Sequence, residues 1–113
     1  MDAIRVSSEK TDRAVRVSIA GEFDIAGAPR VEEELRRAEE DSPGIVMIDL
    51  RELEFMDSTG LRTILAADAR AREAGRRLAV VQGDENIKRV FEVTRLYDRV
   101  EIVDDPAEAE RGS

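Results

Sequence analysis

The residues best suited to chemistry form the run Asp57-Ser58-Thr59-Gly60-Leu61. This run follows an apolar stretch at residues 45–48, and from Leu61 onward the apolar residues recur at helical spacing. Asp and Ser are favoured at helix N-caps, because their side-chain oxygens accept from backbone N–H groups left unpaired there. We therefore predict that Ser58 lies at the positive end of a helix, where its hydroxyl can be exposed. A phosphate on that hydroxyl would meet several free N–H groups.

The residues of this run can have either a functional or a purely structural role. Glycine in a first helical turn costs about 1 kcal/mol relative to Ala, so Gly60 needs a reason. Gly60 allows either close approach by a partner or simple relief of crowding against the neighbouring strand. Asp57-Ser58 is likewise either a modifiable site or an ordinary cap, and local physics favours the ordinary cap.

The side-chain inventory is poor for catalysis. The chain has no Cys and no His, which excludes disulfides, thiolate metal sites and the usual general base. Only carboxylates, hydroxyls, Lys10 and Lys88 remain for an enzyme. We therefore predict a protein that is not an enzyme and that holds no cofactor or metal.

The charge balance is acidic. The chain carries 26 acidic and 18 basic residues, a net charge of −8, and it has no Trp. Nucleic-acid binding needs a basic face and stacking aromatics, so no such partner is predicted. With no signal peptide and no apolar run long enough to span a membrane, we expect a cytoplasmic protein. The arginines at 70, 72, 76 and 77 alternate with acids and so predict a paired, solvated face rather than an anion site.

Hydrophobic periodicity predicts the order β-β-α-β-α-β-α-β. The first two strands form a hairpin around residues 4–6 and 15–19, and the next strand, residues 45–50, is apolar enough to be central. Helices are predicted at 28–40, from 58 to about 74 with Gly75 as its C-cap, and after Asp84. Strands are predicted at 78–81 and 100–102, and a short helix from Pro106, with the tail to Ser113 fraying. The predicted core includes Val17, Ile19, Ile48, Leu50, Leu61, Leu65 and Val80.

Short connections and right-handed crossovers imply an α/β fold with a small, mostly parallel mixed sheet. About five strands are expected, the first of them antiparallel. The loops that carry Asp24 and Asp57-Ser58 both follow strands, at the carboxyl edge where sites in open α/β sheets lie. We expect Asp24 and Asp57 to be neighbours at this edge. The simpler roles, a loop turn for Asp24 and a helix cap for Asp57, stay open.

The run at 57–61 resembles the signature of the STAS domain of bacterial anti-sigma factor antagonists. Residues 21–25, 28–29, 48–57 and 89–94 resemble other segments of this family in order and spacing. The resemblance covers about residues 4–104, so we expect a STAS domain at 1–104 and an acidic tail at 105–113. It also implies helices mainly on one side of the sheet. Arg95 stands where the family commonly has Gly, which leaves the C-cap of the third helix open.

The resemblance implies a phosphorylation-gated binding module. The unmodified protein would bind an anti-sigma factor that is also an ATP-dependent serine kinase, and phosphorylation of Ser58 would end the interaction. The implied partner-binding residues are Asp24, Asp57, Ser58, Thr59, Gly60 and Leu61. Asp24 and Asp57 would face this partner or hold its Mg²⁺-nucleotide in register. No membrane association is expected, and the chain should be a monomer or weak dimer.

Two alternatives compete with this hypothesis. A constitutive STAS subunit of a stress-signalling or lipid-transport assembly would use the same surface without a switch. A receiver-like phospho-aspartate switch would use Asp49 at the end of a central strand. That switch needs several carboxylates around Mg²⁺, which the sequence does not place there, so Asp49 is predicted to be structural.

Overall fold

The computed structural model describes residues 3–111, which form a six-stranded mixed sheet with helices on both faces. The strands are β1 Ile4–Lys10, β2 Ala14–Phe23, β3 Ile45–Asp49, β4 Leu53–Met56, β5 Arg77–Val81 and β6 Glu101–Val103. The helices are α1 Ala28–Glu39, α2 Ser58–Ala74, α3 Glu85–Thr94 and α4 Pro106–Arg111, with a 3₁₀ turn at Leu96–Asp98.

The sheet has the predicted mostly parallel topology. The strand order is β1-β2-β3-β5-β6, and β4 pairs with β2 beyond the end of β3. β1 is antiparallel to β2 and every other pairing is parallel, which confirms the prediction. β4 was not predicted, because four residues with the burial pattern buried-exposed-exposed-buried show no clear alternation.

Gly21 is the point where β2 exchanges one partner strand for another. Residues Ala14 to Ser18 pair with β3, whereas Gly21 to Phe23 pair with β4, and the register shifts between Gly21 and Glu22. Gly21 has φ +92°, and a Cβ there would collide with the carbonyl oxygen of Ala3. Only glycine adopts this conformation without strain. The bulge lets the end of β2 pair with β4.

Three helices cover one face of the sheet and form the main core. α1 contributes Val31, Leu35 and Ala38, which form its buried stripe. α2 is rotated from the predicted orientation: Ile64 is fully buried, whereas Leu61 and Leu65 pack against the core but are only partly buried. The other buried residues of α2 are Gly60, Thr63, Ala67 and Ala71. Because these are small, the bulky leucines misled the prediction about the orientation of the helix.

The fourth helix lies on the opposite face. Ala109 of α4 is fully buried and packs in a second cluster with Ala14, Ile45, Met47 and Ala79. A short terminal helix was predicted here, and the Asp105 carboxylate caps it by accepting from the Ala107 N–H at 2.9 Å. The predicted fraying concerns Gly112 and Ser113, which lie outside the described residues.

The ends of α2 and α3 have the same backbone conformation with different residues. Gly75 ends α2 at φ 69°, the left-handed C-cap that was predicted. Arg95 ends α3 at φ 60°, so the C-cap keeps its form although it carries a side chain. A residue other than glycine is modestly strained in this left-handed conformation.

The arginines near residue 70 are paired, as predicted, but the face is only partly solvated, because the side chains of Arg70 and Arg76 are 19% and 11% exposed. Arg70 binds Glu39 through two hydrogen bonds of 2.8 and 2.9 Å and thereby joins α2 to α1. Arg72 pairs with Asp68, and Arg77 pairs with Glu101 on β6. In the described part of the chain, none of the helices is long and apolar enough to cross a membrane.

Candidate functional site

The sheet brings the two predicted site loops together at one edge. Phe23 and Met56 are partners in the parallel pairing of β2 and β4, so the residues that follow them start neighbouring loops. The N–H of Asp57 donates to the carbonyl of Phe23 at 3.2 Å and holds the loops side by side. Asp24 and Asp57 therefore lie at the same carboxyl edge of the sheet, where the sequence placed them.

Asp57, and not Ser58, is the N-cap of α2. Its Oδ1 accepts from the backbone N–H of Thr59 at 2.9 Å and of Gly60 at 3.2 Å. Ser58 is the first helical residue, and it is exposed. Among the described residues its hydroxyl has no hydrogen-bond partner. The sequence left open whether Asp57 or Ser58 caps the helix. The cap is Asp57, because its carboxylate accepts from two of the amides that are unpaired at the helix start.

The same contacts reduce the anion-binding capacity of the helix start. Asp57 occupies the amides of Thr59 and Gly60, and the N–H of Leu61 donates to the Asp57 carbonyl at 3.2 Å. Within residues 3–111, only the Ser58 N–H of this first turn is left without an acceptor. A phosphate on Ser58 would thus meet one free amide and a neighbouring carboxylate, and not several free amides.

Gly60 is buried beneath the site. A Cβ at Gly60 would lie 2.7 Å from Met56 Cγ, closer than real Cβ atoms come, and 3.0 Å from Phe23 Cγ, tighter than most contacts. The missing side chain lets the first turn of α2 approach β2 and β4, which supports relief of crowding as the reason for glycine. Thr59 and Leu61 are half-buried on either side of it.

Asp24 stabilises the turn before α1 much as Asp57 caps α2, by accepting from two backbone N–H groups. Its Oδ1 accepts from the N–H of Ala26 at 3.1 Å and of Gly27 at 3.2 Å, which shapes the loop before α1. In both aspartates one carboxylate oxygen organises the loop. Contact between Asp24 and a partner stays a prediction.

Two exposed apolar side chains lie next to these loops, and the sequence reasoning did not select them. Ile25, directly after Asp24, is 73% exposed, and Phe55, two residues before Asp57, is 49% exposed. Exposed acids, Glu22 and Glu54, precede each loop. A large apolar residue inside a glycine-flanked loop was the signal that could have identified Ile25.

Asp49 is structural. The carboxylate is 6% exposed and accepts from the Arg51 guanidinium at 2.7 to 3.2 Å and from the Arg51 N–H at 3.1 Å. Burial raises the pKa of Asp49, but the hydrogen bonds and charges of Arg51 and the charge of Arg16 hold it below its usual value. Between residues 3 and 111, no cluster of three acidic side chains is arranged to bind a metal ion.

Comparison with known proteins agrees with this geometry. The STAS domain family matches residues 5–109. The anti-sigma-B factor antagonist of Listeria monocytogenes is 33% identical over 100 residues, covering 88% of this chain and 87% of that protein. The antagonist of the same name from Bacillus subtilis is 31% identical over 109 residues, covering 96% of each.

A solved structure shows the same fold. The crystal structure of an anti-sigma factor antagonist from Mycobacterium paratuberculosis superposes with a TM-score of 0.81 at 27% identity, covering 96% of this chain and 92% of that one. The match of the family over nearly the whole chain and the shared sheet topology lead to one conclusion: the chain belongs to the STAS domain family.

Proposed function

We propose that the chain is an anti-sigma factor antagonist that is switched off by phosphorylation of Ser58. The unphosphorylated protein binds an anti-sigma factor with ATP-dependent serine kinase activity and so frees a sigma factor. The protein itself is a regulatory binding module without catalysis of its own. The names of its relatives in Listeria and Bacillus support the antagonist role.

The exposed Ser58 hydroxyl carries the proposal. It belongs to the first residue of α2. The side chain of Asp57, and not that of Ser58, accepts from the amides at the helix start. A kinase can therefore reach Ser58 without unfolding the helix start. Thr59 is a poorer acceptor, because it is half-buried within the turn.

The surroundings of Ser58 explain why phosphate would end binding. Ile25 and Phe55, exposed next to the two loops in the chain, offer apolar anchors, so a partner that docks there would exclude water from this surface. A phosphate adds about −1.5 to −2 charges and would have to be desolvated there. Asp57 already occupies two of the nearby amides, so the protein offers the phosphate little compensation.

A constitutive interaction subunit is the second candidate, because the same exposed surface can bind a partner permanently. The two functions differ in how binding responds to charge at Ser58. A switch loses affinity when the charge is added, whereas a constitutive subunit keeps it.

The test is titration calorimetry with the cognate anti-sigma factor on wild type, Ser58→Ala, Ser58→Asp and Ser58→Asn. Ser58→Asn is the matched control, since Asn has the size of Asp without its charge. We expect Ser58→Ala to bind like wild type, and Ser58→Asp to bind at least about tenfold more weakly than Ser58→Asn, or about 1.4 kcal/mol. Equal affinities for Ser58→Asp and wild type would establish the constitutive subunit instead.

The acceptor is tested with the same partner. Incubation with ATP and Mg²⁺, followed by mass spectrometry of the digested protein, should place one phosphate on Ser58 and none on Ser58→Ala. Phosphate on Thr59, or an acyl phosphate on Asp49, would contradict the assignment.

A further inference from the structure

The outer edge of β1 is open along most of its length. β1 lies at one end of the sheet, and among the described strands it pairs only with β2. The residues from Ser7 to Lys10 are all exposed, so nothing within residues 3–111 covers that part of the edge. Only at the start of the strand does another side chain reach it, where Arg30 donates to the Ile4 carbonyl at 3.5 Å. An open edge of this kind can pair with a further strand.

The hydrogen bonds at the two ends of the hairpin show which backbone groups of β1 point outward. The Ala3 carbonyl accepts from β2 at 2.8 Å, and the Thr11 N–H donates to β2 at 2.9 Å. Bonded and non-bonded residues alternate along an antiparallel ladder, so the odd-numbered residues of β1 are those that bond to β2. The N–H and C=O groups of Val6, Ser8 and Lys10 therefore point away from the sheet. Outside the ladder, none of them bonds to another backbone group of the described residues.

The charges of β1 are arranged symmetrically about Ser7. Arg5, Ser7 and Glu9 lie on the sheet face away from the main core, since the alternate residue Val6 packs against that core. Arg5 and Glu9 are exposed and carry opposite charges two positions on either side of Ser7. No hydrogen bond or ion pair joins the Arg5 side chain to another residue of the described range. Glu9 accepts from Arg16 through one oxygen, and its side chain stays 66% exposed.

We propose that β1 pairs antiparallel with β1 of a second copy of this chain, in the register that places Ser7 opposite Ser7 on a two-fold axis. In this register the outward-pointing Val6 and Ser8 of each copy exchange N–H···O=C bonds with Ser8 and Val6 of the other. Arg5 of each copy lies opposite Glu9 of the other, in the pairs of the ladder whose side chains are closest. A shift of the register by two residues in either direction removes both ion pairs. The charge pattern of the strand therefore favours a second copy as the partner, and the proposal is independent of Ser58.

The pairing closes at two copies and is weak. A two-fold contact uses the same edge of both copies, so it leaves no β1 edge for a third. The opposite edge strand of the sheet, β6, has 3 residues, which is short for further pairing. One pair of strands buries little surface compared with the roughly 1,200 Å² of a stable complex. We therefore expect a dimer with a Kd between about 10 μM and 1 mM.

Sedimentation equilibrium of the full chain, at concentrations that bracket this Kd, measures the dimer. Arg5→Glu and Glu9→Arg each place like charges opposite one another at two symmetric positions, and each should weaken dimerisation about tenfold. The double variant Arg5→Glu/Glu9→Arg restores both pairs with exchanged charges, so it should recover most of the affinity. Arg99→Glu makes the same change of net charge at an exposed position elsewhere and should leave the affinity unchanged.

Disulfide formation tests the register. The chain has no Cys, so Ser7→Cys introduces a single thiol. In the proposed register the two copies of residue 7 have Cα atoms about 4.5 Å apart, a separation that a disulfide spans. Ser8→Cys is the matched control, because Ser8 lies opposite Val6 and the two copies of residue 8 are more than about 7 Å apart. We expect oxidised glutathione to cross-link Ser7→Cys at least about tenfold faster than Ser8→Cys.

A wild-type chain that stays monomeric at about 1 mM would overturn the proposal and leave this edge to a strand of a different protein. So would a dimer that tolerates Arg5→Glu, a double variant that associates no better than the single variants, or cross-linking of Ser8→Cys as fast as that of Ser7→Cys. All the substituted residues are exposed, and the circular dichroism spectrum of each variant reports whether it is folded.

Discussion

At the start of α2, two adjacent residues have different roles. Asp57 holds the amides of Thr59 and Gly60, and Ser58 keeps an exposed hydroxyl that the helix does not use. A residue that stabilises the helix and a residue available to a partner can therefore be changed separately. This separation is what a regulatory site on a stable helix requires.

These different roles predict that substitutions of Asp57 and Ser58 have unequal effects on the stability of the protein. Asp57→Ala should lower the free energy of unfolding by about 1 kcal/mol, since it removes the side-chain acceptor of two amides. Ser58→Ala should change it by less than about 0.5 kcal/mol, as expected for an exposed residue without a structural contact. Urea unfolding followed by circular dichroism measures both. A larger loss for Ser58→Ala than for Asp57→Ala would mean that the serine caps the helix after all.

Sequence alone identified this run but not the roles within it. Asp and Ser are both good N-caps, so their order gave no means of choosing between them. The choice depends on the N–H of Asp57 binding Phe23, a contact between strands that lie far apart in the sequence. Ile25 and Phe55 were missed for a similar reason, because their exposure depends on how the loops pack.

At the scale of elements, α2 shows how small residues set an orientation. Gly60, Thr63, Ala67 and Ala71 let the helix lie close to the sheet, and a single large side chain, Ile64, fills the remaining space. The leucines one position further along lie at the margin of the core. Periodicity located this helix and its Gly75 C-cap correctly, whereas packing determined its rotation.

Substitutions at neighbouring positions test this rotation. Ile64→Ala should cost about 2 to 5 kcal/mol, because Ile64 is fully buried and its removal leaves a cavity. Leu65→Ala should cost clearly less, about 1 to 2 kcal/mol, because part of that side chain already contacts water. Denaturant melts of the two variants measure the difference. Equal losses, or a larger loss for Leu65→Ala, would contradict the packing of α2.

At the scale of the whole molecule, the two faces of the sheet have different chemistry. One face is a continuous apolar core under three helices, and the other combines a small alanine-rich cluster with a charged hairpin. The sequence predicted the first face, because its residues follow simple alternation. It did not predict the second, since residues as far apart in the chain as Ala14, Ala79 and Ala109 meet there.

Asp49 links β3 to this second face and makes the stability of the protein depend on pH. Its pKa is held below the ordinary value of 3.8 in the folded state, chiefly because the bonds from Arg51 outweigh the effect of burial. The unfolded state therefore binds a proton more readily than the folded state at acidic pH. The stabilisation is complete above about pH 4 to 5 and is lost as the pH falls through the folded pKa.

Asp49→Asn separates this contribution from the other carboxylates, which are identical in both proteins. At pH 7 the variant should be less stable by about 1 to 2 kcal/mol, a modest value because the Arg51 side chain is 44% exposed and can be solvated. The difference between wild type and variant should stay constant from pH 7 to 5. It should shrink below about pH 3.8, because the unfolded Asp49 takes up a proton there while the folded carboxylate is still charged, until the folded carboxylate is protonated as well. Urea unfolding at each pH measures it. A difference that stays the same down to pH 2.5, or grows as the pH falls, would show that the ion pair with Arg51 does not set the pKa of Asp49.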